Sequence, residues 1–72
     1  MKDAKEFIQK KFESGFKIGG IALCWIMCLA DKRSEDEYIE TCNRAIDDLS
    51  FFNQSPDEIQ FFRDIIQKVQ TI

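Results

Sequence analysis

Between Ile18 and Ala30 the chain runs thirteen residues without a charged side chain. In a protein of 72 residues, such a segment dictates how everything else must be arranged. It contains few β-branched residues and exceeds the usual strand length, so the spacing predicts a helix. Being apolar on every side, this helix is expected to be covered on most of them. It is too short for a bilayer, which needs about 18–20 apolar residues. The Lys-rich residues ahead of it resemble the basic start of a secretory signal. Asp3, Glu6 and Glu13 and an amphipathic pattern of their own argue against that reading. A buried central helix over 18–30 is expected.

Three further helices follow from periodicity. Ala4, Phe7, Ile8 and Phe12 recur at helical spacing behind Asp3 and Glu6, a candidate N-cap pair. Gly15 suits the left-handed residue that ends a helix, which gives a first helix over 3–14. Ser34-Glu35-Asp36-Glu37 is a capping box. Behind it, Tyr38, Ile39, Cys42, Ala45, Ile46 and Leu49 form an apolar stripe over 35–49. Ser55-Pro56-Asp57-Glu58 is a second box with Pro at the first helical position. Ile59, Phe62, Ile65, Ile66, Val69 and Ile72 then form the stripe of a helix over 56–71, with Phe61 at its edge. The expectation is an all-α fold, a bundle of four short helices in one domain over 1–72.

Charge and composition exclude much. There is no histidine, so Ser-His-Asp and Cys-His catalysis and imidazole zinc sites are absent. A net charge of −3 lacks the basic face that binds nucleic acid. Five Lys against three acids over 1–30 contrast with ten acids against five bases over 31–72, and the acids sit where helices begin. Gly15 to Gly20 has neither P-loop spacing nor a preceding strand. No cofactor is expected, and nothing points to an enzyme.

Cys24 and Cys28 share a helix face one turn apart, where a disulfide between them is disfavoured. Cys42 lies in the apolar stripe of the third helix. All three are expected to pack as small hydrophobes, and their odd number fits a reducing, cytoplasmic setting. Asp31, Glu35, Asp36, Glu37 and Glu40 could offer oxygen ligands to a divalent ion, but consecutive acids point in different directions round a helix.

From Ile21 to about Ile66 the order of motifs resembles the tellurite-resistance TerB-like helical family. The matching pieces are Leu29-Ala30-Asp31 closing an apolar helix, Ser34 to Glu37, the amphipathic Tyr38 to Leu49, and Ser55 to Glu58. The family turn reads Ala-Asp-Gly; Lys32 stands here in place of the glycine, and the chain is about half the family's length. The resemblance implies a stress protein binding a divalent metal through acids at that turn, carried here by Asp31 and Glu37.

The aromatic load suggests a different role. A chain this small buries only about 60% of its extended surface, yet it carries seven Phe, a Trp and a Tyr. Some of these are expected to remain as an exposed patch, with Phe16, Trp25, Phe51, Phe52 and Phe61 as the edge candidates. The function expected is a non-catalytic helical interaction module: an adaptor, chaperone-like subunit or small inhibitor, including the phage type. Its partner would be another protein, favouring a basic face, in a homo-oligomer or hetero-complex, with neither nucleic acid nor membrane involved.

Overall fold

Four helices run α1 Lys2–Glu13, α2 Gly20–Leu29, α3 Glu35–Phe51 and α4 Pro56–Gln70. The computed structural model describes residues 2–53 and 55–70. No strand occurs among them, and the all-α expectation is met.

The α3–α4 pair is the centre of the molecule; α2 packs on α3, and α1 packs on α4. The core gathers Tyr38, Cys42, Ala45 and Leu49 from α3 with Phe61, Phe62, Ile65 and Val69 from α4. Ala4 closes it from α1, and Ala22 and Leu29 close it from α2. Alanines at those contacts let the outer helices approach closely. The radius of gyration, 11.2 Å, matches the roughly 11 Å of a compact chain this long, so α1 is docked rather than free.

Local chemistry sets the helix ends. At the close of α1, Phe16 N–H donates to Lys11 O (3.3 Å) and Gly15 N–H to Phe12 O (3.0 Å). This is a Schellman stop with Gly15 at φ 94°. α1 begins one residue earlier than expected, so Asp3 lies inside the first turn instead of preceding it. At the start of α3, Ser34 Oγ accepts from Glu37 N–H at 3.2 Å, as the capping box requires.

Other helix boundaries depart from expectation as well. α2 begins at Gly20 rather than at residue 18, and Gly19, its N-cap, has no side chain with which to cap. Buried Glu58 supplies the missing acceptor from another helix: Gly19 N–H donates to its Oε1 at 2.7 Å. The second capping box is therefore not reciprocal. Ser55 Oγ accepts from Asp57 N–H, while the Glu58 carboxylate serves the positive end of α2. α3, in turn, runs on to Phe51, two residues beyond its expected end. It stops where Asn53 adopts φ 54°, a conformation asparagine tolerates well. The expected end of the last helix, residue 71, lies outside the described residues.

Candidate functional site

The expectation that α2 is covered on most sides is overturned. Only Ala22 and Leu29 are buried along it, with Trp25 and Ile26 half-buried on the same side. Leu23 is 48% and Met27 65% exposed, and Cys24 and Cys28 are exposed beside them. With only α3 packed extensively against it, an all-apolar helix has a face left over. Packing of all three thiols in the core is corrected too: Cys42 alone is buried, and burial pushes its thiol up to about 12.

Along the seam between α2 and α3 lies an open groove. Ile21, Cys24, Trp25, Cys28 and Asp48 line one part of it. Trp25, Cys28, Lys32, Glu37, Glu40, Thr41 and Arg44 line the next. The contacts pair the start of α2 with the end of α3, so the two helices run antiparallel. Trp25 is pinned at mid-seam by its indole N–H, which donates to Asp48 Oδ2 at 2.9 Å. One turn past Asp48, at the end of the seam where α2 begins, stand Phe51 (79% exposed) and Phe52 (52% exposed). Their rings meet edge to face at 5.0 Å. A pair of phenyl rings this open, beside an uncharged helix face, is the kind of apolar surface that marks an interaction site.

The five aromatic residues expected at a partner site therefore divide. Trp25, Phe51 and Phe52 share the α2–α3 side. Phe61 is 1% exposed and is corrected from edge to core. Its ring is the hub of a cluster, 5.9 Å from Phe7, 5.7 Å from Phe12, 5.1 Å from Phe16 and 5.7 Å from Phe62. The buried face of α4 runs Glu58, Phe61, Phe62, Ile65 and Val69, which moves Ile59 and Ile66 to its shoulder. Phe16 belongs to this cluster, half-buried against Phe61 with Lys11 Nζ 5.0 Å from its ring centre.

Asp31 is exposed in the turn after α2. Glu37 sits in the first turn of α3, its carboxylate accepting from Ser34 Oγ at 3.1 Å. Among the described residues, no group of three His, Cys, Asp or Glu side chains gathers as a metal site would require. At the same end of the groove, Arg44 and Glu40 form an ion pair at 3.0 Å, both well exposed, which contributes little to stability.

Leu23, Met27 and the Asp48 anchor were not legible as site residues. An apolar helix without a polar side gives no signal of which face turns outward.

No family model, curated protein or solved structure matches the chain. The likeness to the TerB-like family rests on the sequence motifs alone.

Proposed function

We infer that this chain is a non-catalytic helical interaction module that docks another protein on its α2–α3 face. The observation that carries the reading is the open side of α2, where Leu23 and Met27 stand exposed on a helix with no charged residue. Each buried leucine- or methionine-sized side chain is worth about 1.5–3 kcal/mol when removed from water, so a partner covering this face gains affinity from desolvation. Phe51 and Phe52 add exposed apolar area at the end of α3, and Trp25, on the inward side of α2, lines the adjoining α2–α3 groove. Three free thiols fit a reducing compartment such as the cytoplasm. No helix of the described residues is long and apolar enough to cross a membrane.

The test is position-specific photo-cross-linking in the host cell. A photoreactive residue at Met27 or Phe52 should yield protein adducts, whereas one at Lys10 on α1 should not. Adducts at Met27 should disappear when Leu23 is changed to Glu. Equal labelling from all three positions, or none from Met27 and Phe52, would overturn the reading.

A further inference from the structure

We propose that Cys24 and Cys28 form a binding site for one Cu(I) ion, held between their two thiolates at the open side of the α2–α3 groove. This goes beyond the docking reading and does not depend on it. Both thiols are exposed, and both line the same stretch of the groove, together with Trp25 and Asp48.

The spacing suits an ion better than a disulfide. Residues four apart on a helix hold their Cβ atoms about 5–6 Å apart. A disulfide needs about 3.5–4.5 Å, so an S–S bond within the pair is disfavoured. An ion between two thiolates asks for less approach: with metal–sulfur bonds of roughly the 2.3 Å seen for zinc, the sulfurs stand about 4.6 Å apart. That separation is within reach of side chains one turn apart, because both Cα–Cβ bonds tilt the same way along the helix. The helix backbone therefore presets a two-sulfur clamp, with no loop needing to close.

The identity of the ion follows from what else the groove offers. Its carboxylates are already engaged: Asp48 accepts from the Trp25 indole, Glu37 accepts from Ser34, and Glu40 pairs with Arg44. Hard cations that want many oxygen ligands find no such set here. Zinc takes four donors, and among the described residues no third His, Cys, Asp or Glu joins the pair. Thiolates select soft ions, and Cu(I) is satisfied by two sulfurs in a line. Its binding forms two Cu–S bonds and releases both thiol protons to solvent, with no change of oxidation state. One positive charge between two thiolates leaves the unit singly negative. Lys32 lines the groove beside Cys28, where its ammonium offsets that charge. Cys42, enclosed in the core, takes no part.

The test is an anaerobic titration of the purified, reduced full chain with Cu(I), supplied as its acetonitrile complex, in competition with the chelator bicinchoninate. Native mass spectrometry should show one copper on a single chain with two protons displaced. Trp25, the one tryptophan of the chain, should lose fluorescence over the same equivalent. That equivalent should also shield both exposed thiols from maleimide. Cys24→Ser and Cys28→Ser should each weaken binding about 100-fold, since the second bond of a chelate gains a factor on the order of 10²–10⁴ from effective concentration. Both substitutions are at exposed positions, and far-UV circular dichroism checks that the helices persist.

Copper lost to the chelator at one equivalent, or held equally by the wild type and the serine variants, overturns the site. So does one copper shared between two chains, or zinc bound as tightly as Cu(I). None of these outcomes bears on cross-linking from Met27 or Phe52 in cells, so failure of the copper site leaves the docking reading to its own test.

Discussion

Cys42 and the pair Cys24 and Cys28 carry the same side chain into opposite surroundings. Cys42 is enclosed in the core and its thiol is pushed up to about 12 by burial, whereas the other two face solvent. A maleimide at neutral pH should therefore add twice to the folded chain and a third time only after denaturation, read by intact mass. The same burial carries a pH signature. An unfolded thiol ionises near about 8.5, so above that pH the unfolded chain releases a proton that the folded chain retains. Stability from this group is complete below about pH 8.5 and falls as pH rises toward about 12. Tyr38 adds to the same trend at higher pH, raised by its own burial first and by Cys42 second. Melting temperatures between pH 7.5 and 10 should fall for the wild type and fall less for Cys42→Ala. Phe61 and Phe51 make a second contrast. Phe61→Ala should cost about 3–5 kcal/mol in urea denaturation, while Phe51→Ala should stay within about 0.5 kcal/mol. Equal costs would mean that the core and the exposed ring pair have been exchanged.

At the scale of the elements, start and stop chemistry was readable because it is local. Ser34 and Glu37 lie one turn apart, and Gly15 ends α1 whatever the rest of the chain does. Ser34→Ala should lower stability by about 1 kcal/mol. Gly15→Ala should lower it by about 1–2 kcal/mol, because φ 94° is strained for any residue with a Cβ. The start of α2 is different, since its acceptor comes from Glu58, 39 residues away. Glu58→Ala should raise amide exchange at Gly19 and through the first turn of α2, leaving α3 protected. Unchanged exchange there would show that α2 needs no outside cap. Glu58 was read as the partner of Ser55 because three-residue spacing is visible in a sequence and a contact across the bundle is not.

For the whole molecule, the open α2 face lies outside the stabilising core. Met27→Lys should leave the melting temperature nearly unchanged, as expected for an exposed position. The arrangement that leaves α2 open also explains the aromatic surplus. The α1–α4 side encloses its rings around Phe61, and the α2–α3 side has fewer neighbours to offer.

The sequence by itself determined four helices, most of their ends and the apolar stripe of α3, because capping and 3.6-residue periodicity act within a few residues of one another. It also removed imidazole chemistry, since the chain contains no histidine. Only the tertiary structure decided which side of α2 turns outward. Every face of that helix is apolar, so the choice fell to its neighbours, and Ala22 and Leu29 went inward while Leu23 and Met27 were left outside. Tertiary packing likewise took Phe61 from the edge of its stripe to the hub of the core, because the rings of α1 converge on it. It left Phe51 in water because that residue lies off the core-facing stripe of Tyr38, Cys42, Ala45 and Leu49.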